Sequence, residues 1–168
     1  MNPASRQERF ANLVDAHKRI VYKVCNAYCA GRDDRDDLAQ EIVAQLWRSF
    51  PTYDASRPFA TWMYRVALNV ALSFQRRERS RTRLLVPDGE PLLATLAGED
   101  SPPLEVLLVR QFVESLDDLN KALVLLYLDG HSYREIADVL GISETNVGTK
   151  LNRLKQNMRR ELGAPGKT

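Results

Sequence analysis

Apolar residues recur at helical spacing along most of this chain, and that periodicity constrains the fold more than any other feature. Three stretches, 10–28, 38–50 and 59–74, place apolar residues three or four positions apart, as on one face of a helix. None of them alternates apolar and polar residues as a half-buried strand would. The sequence therefore predicts an all-α fold.

Local boundary signals divide this pattern into helices. Ser5 and Glu8 have the spacing of a capping box, and Gly31 is placed to end the helix that follows. Pro51 ends the second helix, and Pro58 fits the first turn of the third. We therefore expect a single helix up to Gly31, a second with an acidic start, and a long third helix that ends in arginines.

Residues 84–103 are rich in proline and glycine and show no sustained period, which is typical of a linker. A chain of 168 residues has room for two small domains. The sequence therefore predicts two small helical domains, residues 1–83 and 104–168, joined by a flexible linker at 84–103.

Charge is distributed unevenly, although the formal net charge is only +2. Basic residues are concentrated at 76–83 and 150–160, whereas acidic residues are concentrated at 32–41 and 90–118. Patches of opposite sign indicate one anionic partner and another that is not anionic.

The first residues of the chain are polar and lack the apolar core of a signal peptide. No run approaches the ~20 consecutive apolar residues of a membrane span. We therefore expect a cytoplasmic protein without membrane insertion.

Cys25 and Cys29 stand four residues apart, a spacing that puts both on one helix face, where their side chains bridge poorly. We expect two small buried residues rather than a disulfide. With His17 they form only a weak metal signal, so the sequence predicts no metal and no cofactor.

The strongest motif spans residues 132–156. Ser132 and Glu135 form a second capping box, and Gly141 supplies the left-handed residue that a sharp corner between two helices needs. The second helix of the motif has polar or basic residues on or near its outer face, namely Thr145, Asn146, Thr149, Lys150, Asn152 and Arg153. Such a face suits the major groove of DNA. We predict a DNA-binding helix-turn-helix rather than a hairpin with a merely solvated face.

The long third helix combines aromatic residues with a basic end, and aromatic rings beside arginines can stack unpaired bases and hold phosphates. Phe59, Trp62 and Phe74 share one stripe and are expected in the core, whereas Tyr64 lies off that stripe and is expected to be exposed. The acidic second helix would repel DNA and suits a basic protein surface.

The run DDLAQEIVAQLWRSFPTYDASRPFATWMYRVALNVALSFQRR resembles region 2 of the extracytoplasmic-function sigma factors, and the C-terminal half resembles their region 4. The resemblance extends from about Phe10 to Leu162. It implies a bacterial protein, not an enzyme itself, that binds core RNA polymerase and directs it to promoter DNA. It further implies a monomer when free and regulation by an anti-sigma factor.

The resemblance also implies roles for three sets of residues. Docking on the polymerase falls to Asp37, Leu38, Gln40 and Glu41. Recognition and melting of the −10 element falls to Tyr53, Asp54, Ser56, Arg57, Trp62, Arg65, Asn69, Arg76 and Arg77. Reading of the −35 element falls to Arg134, Thr145, Asn146, Thr149, Lys150, Asn152 and Arg153.

Three positions depart from the family pattern: Leu68 stands where arginine is usual, Ser73 where aspartate is frequent, and Gly148 where a basic or polar residue is usual. A glycine inside a helix costs about 1 kcal/mol relative to alanine. Gly148 therefore either allows the backbone to approach DNA closely or marks a weak position.

Two other classes of protein compete with this interpretation. A dimeric helix-turn-helix transcription regulator would share the C-terminal motif, but it needs a dimer interface and a sensor site, and the sequence offers neither. An enzyme or redox sensor would have to use His17, Cys25 and Cys29.

Overall fold

A computed structural model of the protein describes residues 2–82 and 103–163, and every regular element within these ranges is helical. The chain divides into two compact units, Met1–Leu85 and Val86–Thr168. The all-α prediction is confirmed. The predicted linker, residues 84–103, lies outside the described residues except for Pro103, which precedes the first helix of the second unit.

The first unit contains four α-helices and one short 3₁₀ turn. These are α1 (Pro3–Ala16), α2 (Lys18–Tyr28), α3 (Arg32–Ser49), the 3₁₀ turn (Phe50–Thr52) and α4 (Phe59–Thr82). Helices α2, α3 and α4 pack against one another. Helix α4 is central, since it buries side chains over most of its length, from Phe59 to Phe74.

The predicted single helix before Gly31 is wrong, because the chain forms two helices that meet at His17. The His17 backbone leaves the helical region, and its Nδ1 donates to the carbonyl of Leu13 at 2.9 Å. The Ser5 capping box is also wrong, because the Asn2 side chain caps α1 and accepts a hydrogen bond from the amide of Ala4. Apolar spacing continues across His17, so periodicity alone could not show the break.

The core of the first unit confirms the predicted burial of Phe59 and Phe74, while Trp62 is half-buried. Tyr64 was expected to be exposed, but it is fully buried. Helix α4 is covered by both α2 and α3, so its buried surface is wider than one stripe.

The second unit contains α5 (Leu104–Ser115), α6 (Asp118–Leu128), α7 (Tyr133–Leu140) and α8 (Glu144–Leu162). Its core is formed mainly by Leu123, Leu126, Ile136, Val147 and Leu151, all buried. None of the helices in the described ranges is long and apolar enough to cross a membrane.

Cys25 and Cys29 are free thiols, and both are buried in the first unit, as predicted. Burial raises the pKa of Cys25 to about 11 and that of Cys29 to about 12. A thiol with a raised pKa is a poor nucleophile and a poor metal ligand at neutral pH. Within residues 2–82 and 103–163, no group of three metal-binding side chains is present.

We predict that both thiols of the folded protein resist a disulfide reagent at pH 8, because few thiolates form and neither sulfur is accessible. Unfolding in denaturant should release both at once. The time course of labelling with and without denaturant measures this. Rapid labelling of either cysteine in the native protein would contradict the buried environment.

The same shifts imply a pH dependence of stability. The thiols of the folded protein hold their protons to higher pH than those of the unfolded chain. The free energy of unfolding that they contribute is therefore complete below the unfolded thiol pKa of about 8.5, and it is lost as pH rises toward the folded pKa values of about 11 and 12.

Candidate nucleic-acid interface

Helix α8 has one buried side and one exposed polar side. Val147, Leu151 and Leu154 are buried against the rest of the unit. The exposed residues Thr145, Asn146, Thr149, Asn152 and Arg153 include all the predicted reading residues of this helix except one. Lys150 is the exception, since it is half-buried. A rotation of 100° per residue along the helix places it toward the buried side of α8.

Three caps hold α8 in a defined orientation. The Ser132 hydroxyl accepts from the Glu135 amide at 3.2 Å, and the Glu135 carboxylate accepts from the Ser132 amide at 2.8 Å, which lowers the pKa of Glu135. Gly141 forms the corner with a left-handed φ of 68°. The Ser143 hydroxyl then accepts from the Asn146 amide at 3.1 Å and starts α8. The side chains of α8 are therefore presented from a rigid helical corner.

Arg134, the remaining predicted reading residue, lies in the first turn of α7 and is exposed. It belongs to the helix-turn-helix but not to α8. Gln156 was not predicted as a site residue, yet it is exposed and falls between Asn152 and Thr149 around the α8 axis. Helical spacing on the sequence was sufficient to find it.

In the first unit, a cluster of aromatic rings supports the loop between the 3₁₀ turn and α4. Tyr53 stacks on Phe50 with ring centroids 6.1 Å apart, and it contacts Phe59 at 5.3 Å and Trp62 at 5.1 Å. Phe50 in turn packs edge-on against Phe10 of α1 at 5.2 Å. The Tyr53 hydroxyl donates to the Arg57 carbonyl at 2.8 Å. This hydrogen bond and the three ring contacts together fix the Tyr53 side chain.

The loop residues after Tyr53 form a tight turn. A carboxylate oxygen of Asp54 accepts from the Ser56 amide at 2.9 Å, which lowers the pKa of Asp54. The Arg57 amide donates to the Asp54 carbonyl at 3.0 Å. The predicted loop residues Asp54, Ser56 and Arg57 are therefore exposed on a preformed turn.

The predicted −10 residues of α4 occupy different environments. Asn69 is exposed and lines a shallow groove between α3 and α4 together with Ser73 and Arg48. Trp62 and Arg65 are half-buried, and Arg76 is exposed. These side chains extend along more than three turns of α4, from Trp62 to Arg76.

Leu68, where the family usually has arginine, is almost fully buried in this unit. At this position the α4 surface faces the core, so leucine suits its surroundings. The departure therefore contributes to packing rather than to the exposed face that carries Asn69.

The predicted polymerase-docking residues come together, with one exception. Asp37, Gln40 and Glu41 line a second groove between α3 and α4, which also includes Arg77 and Arg81. Leu38 is fully buried beneath this face, and its docking role stays a prediction. It supports the acidic face from the inside.

Glu41 and Arg77 were predicted in different sets, but they form an ion pair of 2.6 Å. Arg77 also lies over the ring of Phe74 at 5.7 Å. The acidic face of α3 and the basic end of α4 are therefore adjacent. Sequence reasoning missed this pairing because the two residues are 36 positions apart.

Family models match both units of the chain. The Sigma-70 region 2 family model matches residues 13–81, and the Sigma-70 region 4 model matches residues 107–158. Together they cover well over half of the chain. The chain belongs to the RNA polymerase sigma factors of the extracytoplasmic-function type. It is a promoter-directing sigma factor, and the competing interpretation as a dimeric regulator is not favoured.

Relatives and solved structures of sigma factors match nearly the whole chain. The sigma factor SigW of Bacillus subtilis is 24% identical over 93% of this chain and 90% of its own length. The sigma-E factor of Haemophilus influenzae is 28% identical over 89% and 85%.

Two solved structures share the fold. CnrH in complex with the cytosolic domain of CnrY has a TM-score of 0.68 and 25% identity, and covers 95% of this chain and 91% of that one. RpoE from Bartonella quintana in complex with the anti-sigma factor NepR has a TM-score of 0.66 at 15% identity over 95% and 98%.

Gly148 offers a direct test of the recognition helix. A β-carbon added there would lie 3.5 Å from the Tyr133 ring, an ordinary contact, so alanine fits. We predict that Gly148→Ala stabilises α8 by about 1 kcal/mol. Amide hydrogen exchange in α8 should slow by roughly fivefold.

Binding of the Gly148→Ala sigma factor to promoter DNA distinguishes the two meanings of this glycine. Unchanged −35 binding is expected, because the ring of Tyr133 already covers this position. A loss of −35 binding in the stabilised variant would instead show that DNA needs the bare backbone.

Proposed function

We propose that three surfaces divide the work of this sigma factor. The acidic face of α3 docks on core RNA polymerase, the loop after Tyr53 and the exposed side of α4 capture the −10 element, and α8 with Arg134 reads the −35 element. The exposed polar side of α8, fixed by three caps, is the observation that carries this assignment.

The −35 role rests on the chemistry of the α8 side chains. Asn152 and Arg153 carry the donor groups that pair with base edges in a major groove, where asparagine suits adenine and arginine suits guanine. Thr145 and Thr149 are shorter, and the Thr149 hydroxyl donates to the carbonyl of Thr145. A threonine methyl group suits the methyl group of thymine.

The −10 role rests on the preformed loop. Extruding a base from a duplex costs a few kcal/mol. A loop already folded by the bonds of Tyr53 and Asp54 does not have to be ordered at the moment of binding. Contacts with the extruded base then offset the cost of opening, so recognition and melting become one step.

The polymerase-docking role rests on the charge of α3. Asp37 and Gln40 are exposed, and Glu41 is half-buried beside Arg77. Since Glu41 already has a cationic partner, Asp37 is the carboxylate of this groove that best suits a basic residue of the polymerase.

Polymerase would hold the two units at the spacing of the two promoter elements. Linking two modest DNA contacts raises their joint affinity through effective concentration. The sigma factor thus contributes binding energy rather than catalysis, acts in the bacterial cytoplasm where the polymerase works, and is a monomer when free.

An anti-sigma factor is the regulator that we propose for this chain. Both solved relatives described above are complexes, one with the cytosolic domain of CnrY and one with the anti-sigma factor NepR. A similar fold supports the expectation that a protein of this kind covers the exposed surfaces of this sigma factor.

Two substitutions separate the proposed roles in run-off transcription with purified bacterial core polymerase and genomic promoter fragments. Asp37→Ala should raise the sigma concentration needed for half-maximal transcription without changing which promoters are used. Arg153→Ala should leave polymerase binding intact and reduce discrimination at one −35 base pair by about 1–3 kcal/mol.

Asp36→Ala serves as the matched control for Asp37→Ala, since it removes the same charge from an exposed neighbouring position. It should behave like the unmodified protein. If Asp37→Ala and Arg153→Ala both altered only promoter choice, the proposed division of roles would be wrong.

A further inference from the structure

One flank of α8 carries a group of side chains that the assigned surfaces do not use. Gly148 and Lys155 are seven residues apart and therefore lie on the same side of the helix. Tyr133 from the start of α7 lies against Gly148, and Tyr127 from the end of α6 lies against Lys155. Three helices thus bring two phenols and one ammonium group to one edge of the recognition helix.

Lys155 is held in place rather than extended into solvent. Its ammonium nitrogen is 4.4 Å from the centre of the Tyr127 ring. A hydrogen bond with Tyr127 raises the pKa of Lys155, and Tyr133 is near enough to act in the same direction. A cation over an aromatic face keeps donors for a further ligand, and its side chain is already partly ordered.

The charges around Lys155 favour an anion. Arg159, one turn further along α8, is close enough to lower the pKa of Lys155, so a second positive charge faces the same flank. Tyr127 is 37% exposed and Tyr133 is 38% exposed, so solvent reaches both rings. The result is a cationic centre with neutral hydroxyl donors beside it.

We infer that Tyr127, Tyr133 and Lys155 form a binding site for one DNA backbone phosphate at the edge of the −35 element. In a helix-turn-helix, the recognition helix enters the major groove and the helix before it crosses the backbone, so the flank shared by α7 and α8 faces a phosphate chain. Such a contact fixes the register of the helix and carries no sequence information.

Gly148 makes this site possible. A long side chain at position 148 would occupy the space in which the Tyr133 ring lies, since even a β-carbon there is 3.5 Å from that ring. The absence of a side chain at 148 therefore leaves the phosphate contact to the Tyr133 phenol of α7 and to Lys155 of α8. This inference rests on the proposed −35 role of α8 and adds a phosphate contact to it.

Methylphosphonate scanning tests the inference. Holoenzyme containing the full chain would be titrated with promoter duplexes, each with one −35 phosphate replaced by a neutral methylphosphonate. For the unmodified protein, one replacement at the α7 flank should weaken binding. Lys155→Gln should weaken binding to the unmodified duplex, and that same replacement should then have no further effect.

A second measurement is the salt dependence of binding. Loss of one phosphate contact should reduce the slope of log affinity against log salt by about 0.9. Tyr133→Phe keeps the ring over Gly148 but removes the hydroxyl, so it should weaken binding equally on all −35 sequences. Arg110→Ala is the matched control, because it removes an exposed cation from α5 of the same unit and should change neither quantity.

The outcomes distinguish failure of the phosphate site from failure of the −35 role of α8. If Lys155→Gln stayed as sensitive as the unmodified protein to every methylphosphonate, and its salt slope were unchanged, the phosphate site would be disproved while the −35 role stood. If the unmodified holoenzyme showed no dependence on the −35 sequence, the proposed role of α8 itself would fail.

Discussion

The ring contact between Phe50 and Tyr53 is the interaction on which the first unit depends for its function. Phe50 begins the 3₁₀ turn after α3 and is buried, whereas Tyr53 begins the exposed loop. Phe10 of α1 packs on Phe50, and Trp62 of α4 packs on both Phe50 and Tyr53, so α1 and α4 together support this loop. Aromatic contacts of this kind contribute about 0.5–1.5 kcal/mol each beyond buried area. A loop without a core of its own is thereby ordered before it meets the −10 DNA that we propose it captures.

In the second unit the recognition helix is ordered by helix caps rather than by aromatic contacts. Its recognition helix is oriented by hydrogen-bonded caps at Ser132 and Ser143 and by the left-handed Gly141, while a small apolar core supports it. In both units, therefore, the side chains that we propose contact DNA extend from a backbone that is already ordered. This matters for a factor whose two DNA contacts are each modest, because ordering during binding would reduce the affinity of both.

Much of this arrangement was readable from the sequence, and the errors have physical causes. The caps of the helix-turn-helix are local, since each joins residues three or four apart, and they were predicted correctly at Ser132 and Gly141. Helical periodicity could not reveal the break at His17, because apolar spacing continues across it while the His17 side chain and amide bond back to the Leu13 carbonyl. The ion pair of Glu41 with Arg77 results from packing of α3 on α4, which local patterns do not encode. The burial of Leu38, in contrast, follows from the helical spacing of Leu38, Ile42 and Leu46.

The most direct test of the preformed loop is the affinity of holoenzyme for a single-stranded oligonucleotide of the −10 element. Phe50→Leu keeps an apolar side chain in the core but removes the ring beneath Tyr53. We expect the Phe50→Leu holoenzyme to bind this oligonucleotide more weakly and to bind a duplex −35 element as the unmodified protein does. Binding of the single strand as tight as that of the unmodified protein would show that the loop captures its base without the aromatic support, and would contradict the central claim.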